Sequence, residues 1–300
     1  MYGEILDFFK NNDVKYEINC SLCAKSTVKI GGAADVAVFP DNENKLIASV
    51  RKSKELGLPY RVLGRLSNTL VQDGGYRGIA IFTGGIRYHE ISESSVTLSC
   101  GTRLAELFAL FSKEQIASFN AFYGIPGSVG GLIYNNAGAF GSEISDLFCS
   151  ARIYDSEKGK IYLVSKEEMK LAHRQSLLRE NRNLILLSAE LLRISDKSEN
   201  ILPAVRDYSK RRRASQPIEY PSLGSVFKKP SVGYAAEYID RLGLKGLRVG
   251  GAEVSRKHAG FIVNFKNAKA HDYIALADKV ADTVYREFGL LLEREVEVLD

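Results

Sequence analysis

The chain is poor in cysteine, in long apolar runs and in the familiar phosphate-binding signatures. Its 300 residues include four cysteines, Cys20, Cys23, Cys100 and Cys149, too few to scaffold a protein of this size with disulfides. Cys20 and Cys23 form a lone CxxC with no second pair and no nearby histidine, so chance spacing is the better reading and no metal is expected. No stretch approaches the roughly 20 apolar residues of a membrane span. The richest run, LILLSAELL over 184–192, is short and carries Ser188 and Glu190. The N-terminal MYGEILDFFKNNDVKYE mixes acidic and basic residues, so an amphipathic helix is expected there and not a signal peptide. No GxGxxG follows a strand, and no GxxxxGK precedes a Ser or Thr, which argues against a Rossmann dinucleotide fold and a P-loop. Repeats and low-complexity segments are absent as well. The net charge of +5 suits anionic small molecules but is too weak to indicate nucleic acid. A cytoplasmic protein with neither membrane nor nucleic-acid partners is expected.

What is present looks globular. Hydrophobic residues make up 45% and charged residues 26%, ordinary values for a folded protein, and the length favours two domains. Residues 26–40 read as strand, turn, strand around a Gly pair. Residues 41–57 open on capping residues and end at Gly57, which makes them a helix. PYRVLG and GIAIFTG read as buried strands separated by a loop over 65–77. SVTLSCG is a further strand, followed by helical periodicity over 102–116. From about Ala151 the expectation is a strand, a charged helix over 165–173 and a strand over 183–194. A long helix then ends in KRRRASQP, and Pro217, Pro221 and Pro230 punctuate a loop-rich section. The tail alternates helix (235–244), strand (259–265), long helix (about 270–288) and a final strand (294–299). Interleaved helices and short strands indicate an α+β or α/β fold, with a boundary near Ser195.

Glycine clusters at Ile30–Asp35 (IGGAAD), Leu63–Asn68 (LGRLSN) and Gly124–Gly131 (GIPGSVGG). Such clusters mark either tight turns or loops that let a ligand approach the backbone. Spacing alone favours turns. The whole ordered set of motifs reads differently: KIGGAAD, LGRLSN, GGYRG, GIPGSVGGLIYNNAGAFGSEI, HRQS, RRRASQP, GSVFKKP, GGAEVSRKHAGFIVN and LEREV. In that order, over roughly Ser26 to Leu299, they resemble the UDP-N-acetylenolpyruvoylglucosamine reductases (UDP-N-acetylmuramate dehydrogenases). These are FAD enzymes of peptidoglycan precursor synthesis, and the match is to the shorter of the family's two types.

The resemblance implies a bipartite FAD-binding domain of the p-cresol methylhydroxylase/vanillyl-alcohol oxidase type over 26–195, its two subdomains dividing near 85–100. A helical segment over 1–25 precedes it, and an α/β substrate-binding domain over 196–300 follows. It assigns the cofactor to Gly31, Gly32, Gly64, Ser67, Asn68, Gly124, Pro126, Gly127, Ser128, Gly130, Gly131, Asn135 and Gly138. The implied substrates are UDP-N-acetylglucosamine enolpyruvate and NADPH, and the implied state is a monomer.

The chemistry dictates what such a site needs. Hydride added to an enolpyruvyl ether pushes charge onto the carboxylate, so the site requires a hydride donor, stabilisation of an enolate, and an acid. Flavin N5 can take hydride from NADPH and pass it on, leaving the protein to position the partners. By resemblance Ser225 is the proton donor, Arg174 the carboxylate-stabilising cation and Glu295 the acidic residue that polarises the intermediate. On residue type alone, Ser225 is a turn serine, Arg174 a solvated arginine and Glu295 an exposed charge. Glu293 would share a strand face with Glu295, and the motif position chooses Glu295. Arg212, Gln216, Lys228 and His173 match substrate-contacting positions, while the rest of KRRR reads as a solvated helix end.

Three residues depart from the family pattern. Leu66 stands where Gly is usual, and its side chain is expected to crowd a flavin-contacting backbone or force φ out of the left-handed region. His173 replaces a usual Tyr before the arginine. Lys229 replaces a common Asn and would add positive charge near a phosphorylated substrate if it pointed inward.

Overall fold

Ile5 and Phe9, one helical turn apart, are both fully buried on helix Gly3–Asn11, the outcome that an amphipathic stripe demands. The computed structural model describes residues 2–300. They form two compact units, each assembled from separated stretches. The first comprises residues 2–18, 36–65 and 78–211, and the second 19–35, 66–77 and 212–300. The chain changes unit inside strands Lys15–Ser21, Ala33–Phe39 and Tyr76–Phe82 and inside helix Ser198–Ser215. Elements cut in mid-course leave no linker composition to read. The division at Arg211/Arg212 lies at the end of that helix, whereas the boundary expected near Ser195 precedes it.

The first unit is built on a five-stranded antiparallel sheet in the order Lys160–Ser165, Phe148–Asp155, Leu184–Leu192, Ser95–Ser99, His89–Ile91. Leu184–Leu192 is flanked by a strand on each side and buried over most of its length, which explains its unbroken apolar run. Strand Tyr60–Leu63 pairs in parallel with Ile79–Phe82. The helix expected over 41–57 is present as Glu43–Glu55, begun by Asn42, whose side chain accepts from the Lys45 N–H at 2.9 Å. The helix over 102–116 is present as Leu104–Lys113. The charged helix expected over 165–173 is not. It shrinks to Lys166–Met169, started by a Ser165/Glu168 capping box and stopped at Lys170, which turns left-handed at φ +51°. One core fills this unit, with Phe111 and Phe119 stacked at 4.7 Å beside Phe9, Phe122 and Tyr154.

The second unit pairs a four-stranded antiparallel sheet, ordered Ser222–Ser225, Phe261–Asn264, Ala252–Val254, Arg248–Val249, with helix Ala270–Phe288. That helix buries Tyr273, Leu276, Ala277, Val280 and Val284 at helical spacing and ends at Gly289 in the left-handed conformation. Two local expectations fail here. Residues 26–32 form no strand, because Lys29 (φ +57°) and Gly31 (φ +124°) break the extended course, and the strand begins at Ala33. Within the loop expected over 65–77, Thr69–Val71 forms a strand parallel to Glu297–Leu299, a partner more than two hundred residues away and invisible to local pattern.

Candidate functional site

In the first unit the segment from Gly124 turns at φ +81° and feeds a short helix, Val129–Tyr134. Ser128 begins that helix, its Oγ accepting from the Gly131 N–H at 3.5 Å. Packing within the chain explains several glycines. A Cβ on Gly101 would lie 2.0 Å from the Thr83 carbonyl oxygen, one on Gly138 2.8 Å from the Ser142 carbonyl oxygen, and one on Gly130 3.1 Å from that of Cys100. Gly131 has no such reason, since its Cβ would meet nothing nearer than Ser128 Oγ at 3.8 Å. For Gly127 the nearest atom is a Leu132 methyl at 3.5 Å, an ordinary contact. Gly64 faces the same hydroxyl, with its Cβ position 2.8 Å from Ser128 Oγ. The structure therefore brings Gly64 to Ser128 and leaves Gly131 bare, with space where a side chain would stand. That cradle fits a group that takes hydrogen bonds from backbone N–H groups at close range. Gly124 and Pro126 lie exposed at the start of the loop.

The helix leads directly into Asn135 and Asn136. Asn135 donates to the Gly131 carbonyl at 3.1 Å and accepts from Arg179 Nη1 at 3.0 Å. Asn136 is completely buried, and its carbonyl accepts from Arg174 Nη1 at 3.2 Å. Arg174 is half-buried with φ +56°. It is therefore not the solvated surface residue that its type alone suggests. His173 is exposed, with its Nδ1 3.6 Å from Glu143 Oε1. Sequence reasoning passed over Asn136, Glu143 and Arg179; the doubled asparagine before AGA was the available signal.

In the second unit, close packing against Val71 accounts for Gly31 and close packing of backbone for Gly32. A Cβ on Gly31 would lie 2.6 Å from that of Val71, and one on Gly32 would lie 2.4 Å from the Gly75 nitrogen. Leu66 corrects the expectation set by its type. It holds the left-handed conformation at φ +49° and is 3% exposed. The cost of that conformation, about 1–2 kcal/mol, is offset by burying the side chain. Its carbonyl meanwhile faces the Ser26 and Thr27 hydroxyls, each at 3.4 Å. Ser67 and Asn68 follow, and Asn68 Nδ2 donates to the Glu295 carbonyl at 3.3 Å.

Glu295 also lies alongside the GSVFK segment. Its N–H donates to the Val226 carbonyl at 2.8 Å, and Lys228 N–H donates to Glu293 carbonyl oxygen at 2.9 Å. Gly224, at φ +80°, sits at the irregularity within strand Ser222–Ser225, just before Ser225. The backbone ladder thus pairs residues 226–228, which directly follow Ser225, with residues 293–295. Glu293, the alternative carboxylate, is ion-paired with Lys228 Nζ. Arg212 is half-buried, unlike exposed Lys210, Arg211 and Arg213. Burial lowers its pKa, and its Nη1 donates to Gln216 Oε1 at 3.2 Å. Lys229 Nζ sits 4.9 Å from the centre of the Tyr234 ring.

The four cysteine side chains are free thiols. Burial pushes the Cys100 thiol up to about 12, which removes it as a nucleophile near neutral pH. Among the described residues no helix is long and apolar enough to cross a membrane.

Residues 34–165 match the model of an FAD binding domain, and residues 216–299 match that of the UDP-N-acetylenolpyruvoylglucosamine reductase C-terminal domain. The chain is 38% identical to the UDP-N-acetylenolpyruvoylglucosamine reductase of Syntrophomonas wolfei over 300 residues, covering 100% of this chain and 99% of that protein. It is 39% identical to the one from Caldicellulosiruptor saccharolyticus over 276 residues, covering 91% and 88%. The crystal structure of UDP-N-acetylenolpyruvylglucosamine reductase from Thermus caldophilus superposes with a TM-score of 0.80 at 29% identity, covering 96% of this chain and 99% of that one. A cholesterol oxidase from Brevibacterium sterolicum shares the fold over 61% of this chain and 38% of its own, with a TM-score of 0.50 at 14% identity. The architecture is accordingly an FAD-binding domain of the p-cresol methylhydroxylase/vanillyl-alcohol oxidase type joined to a reductase C-terminal domain. The chain belongs to the UDP-N-acetylenolpyruvoylglucosamine reductase family, flavoprotein oxidoreductases of peptidoglycan precursor synthesis.

Proposed function

We propose that the protein reduces UDP-N-acetylglucosamine enolpyruvate to UDP-N-acetylmuramate with NADPH, working as a cytoplasmic monomer. The observation that supports this reading is the hydrogen bond from Glu295 N–H to the Val226 carbonyl at 2.8 Å, which runs the Glu295 backbone past the residue that follows Ser225. When bound, FAD supplies a hydride at N5, replenished from NADPH. Gly64, Gly127, Ser128 and Gly131 would hold its phosphates, with Ser67 and Asn68 as further contacts. Arg174 is a permanent cation for the carboxylate on which charge develops as the double bond is reduced. Glu295 polarises the resulting enolate, and Ser225 Oγ–H gives its proton to the carbon next to the carboxylate. An alcohol is a weak acid, but an enolate dianion is basic enough to take its proton when the two are held in contact. Arg212 and Gln216, with Lys228 and His173, bind the anionic substrate.

Anaerobic spectroscopy tests this reading. NADPH should bleach the flavin band, and the enolpyruvyl sugar should restore it. Ser225→Ala should slow the second step by about 10²–10⁴-fold, the usual contribution of general acid catalysis, while leaving bleaching nearly intact. A flavin that NADPH does not bleach, or a Ser225→Ala protein reoxidised at the wild-type rate, would overturn the assignment.

A further inference from the structure

We infer that Asn136 is a positioning residue for Arg174, holding the arginine and the turn that carries it from inside the glycine-loop segment. The inference rests on the role proposed above for Arg174. Asn136 is 0% exposed and sits at φ +40°, immediately beyond the helix that Ser128 begins. Its side-chain amide makes three hydrogen bonds. Nδ2 donates to Glu143 Oε2 and to the Ala172 carbonyl, each at 3.0 Å, and Oδ1 accepts from the Ser145 N–H at 3.0 Å. Its backbone carbonyl accepts from Arg174 Nη1 at 3.2 Å.

One residue therefore takes hold of the 172–175 turn twice, by the carbonyl at its start and by the guanidinium inside it. The turn is narrow. Ala172 and Gln175 exchange backbone hydrogen bonds at 3.3 and 3.0 Å, with Arg174 between them in the left-handed conformation. Neighbouring contacts tie the same two segments together: Ser176 Oγ donates to the Tyr134 carbonyl at 2.7 Å, and Arg179 Nη1 to Asn135 Oδ1 at 3.0 Å. Glu143 links them once more, since the carboxylate that accepts from Asn136 also faces His173 Nδ1 at 3.6 Å.

The amide is chemically specific. The site asks for two donors and one acceptor in one plane, on a residue that tolerates positive φ, and Asn meets all of these demands. Asp would keep the bond from Ser145 but lose both donations and set a carboxylate against Glu143. Ala would leave the Ala172 carbonyl, the Ser145 N–H and Glu143 without this partner. In either case the backbone carbonyl survives, but the Nδ2 donations that tie it to the Ala172 carbonyl and to Glu143 are lost, and the guanidinium is expected to shift. A displacement of about 1 Å in a positioned group can cost about 10²-fold in rate.

The test uses the FAD-loaded enzyme and resolves the two half-reactions in Asn136→Ala, Asn136→Asp, Arg174→Ala and Asn136→Ala combined with Arg174→Ala. The expected result is flavin reduction by NADPH within about twofold of wild type, and reoxidation by the enolpyruvyl sugar slowed about 10²-fold in both Asn136 variants. Combining Asn136→Ala with Arg174→Ala should slow reoxidation no further than Arg174→Ala alone, because the two substitutions remove one interaction. Full additivity, equal slowing of both half-reactions, or a wild-type reoxidation rate in the Asn136 variants would overturn the inference. Should Asn136→Ala fail to fold, the near-isosteric Asn136→Asp decides by its split between half-reactions. If Arg174→Ala itself reoxidises normally, the proposed role of Arg174 falls, and this inference with it. If Arg174→Ala is slow and Asn136→Ala adds to it, only the inference falls.

Discussion

Gly131→Ala separates a glycine proposed to serve a ligand from one that serves the fold. In the free protein the new methyl group would meet nothing closer than Ser128 Oγ at 3.8 Å, and the position lies within helix Val129–Tyr134. Exchanging Gly for Ala in a helix interior stabilises by about 1 kcal/mol, so the apoprotein's melting temperature should hold or rise by about 2–4 °C. The same methyl group occupies the space that the cofactor phosphate is proposed to fill. The dissociation constant for FAD should therefore rise at least about tenfold, equivalent to about 1.4 kcal/mol. Gly101→Ala provides the contrast, because its Cβ would lie 2.0 Å from the Thr83 carbonyl oxygen and 2.5 Å from that of Ile86. Backbone atoms cannot swing aside, and overpacking of this kind costs about 1–3 kcal/mol or more. Thermal unfolding of the apoproteins and fluorescence titration with FAD read both quantities. A Gly131→Ala protein that binds FAD as tightly as wild type, or is destabilised as much as Gly101→Ala, would refute the reasoning.

Two further outcomes follow from buried groups in the second unit. Tyr273 is 1% exposed, its hydroxyl has no hydrogen-bond partner, and burial pushes its pKa up. Tyr273→Phe should therefore stabilise by about 1 kcal/mol in chemical denaturation, and a loss of that size would mean that the hydroxyl is satisfied. Asp272 accepts from the Lys269 N–H at 3.0 Å and the Gly251 N–H at 3.1 Å, and these bonds hold its carboxyl below its ordinary value. A depressed carboxyl contributes stability above its unfolded value of about 3.9, and that contribution is lost as pH falls through the folded value. The melting temperature of Asp272→Asn should accordingly be lower near neutrality and fall less steeply than wild type below about pH 4. Parallel slopes for the two proteins would show that Asp272 is not a source of the acid sensitivity.

Local chemistry was legible where it was self-sufficient. Capping residues and Gly57 bounded the helix over 41–57, and the apolar run within 183–194 marked a strand. The candidate site was partly legible for a different reason. Its glycines, Ser225, Arg174 and Glu295 lie in short motifs whose order and spacing resemble a known family. The same reading could not separate glycines by purpose, since Gly31 and Gly131 look alike until Val71 is seen against the first and nothing against the second. Nor did it give weight to Asn136, whose importance lies in four partners spread over residues 143–174.

The amino-acid order by itself determined most of the element types, the family and the chemistry of the residues, because capping, periodicity and motif spacing act over a few neighbours. Tertiary structure alone decided which segments join which core. Residues 19–35 and 66–77 belong with the C-terminal stretch, and Thr69–Val71 becomes a strand because Glu297–Leu299 lies beside it. Leu66 keeps a left-handed backbone that its side chain disfavours, and it does so while buried. The physical reason is common to all three. Backbone pairing and burial are set by whatever meets a segment in space, and those partners lie too far along the chain for local pattern to carry them.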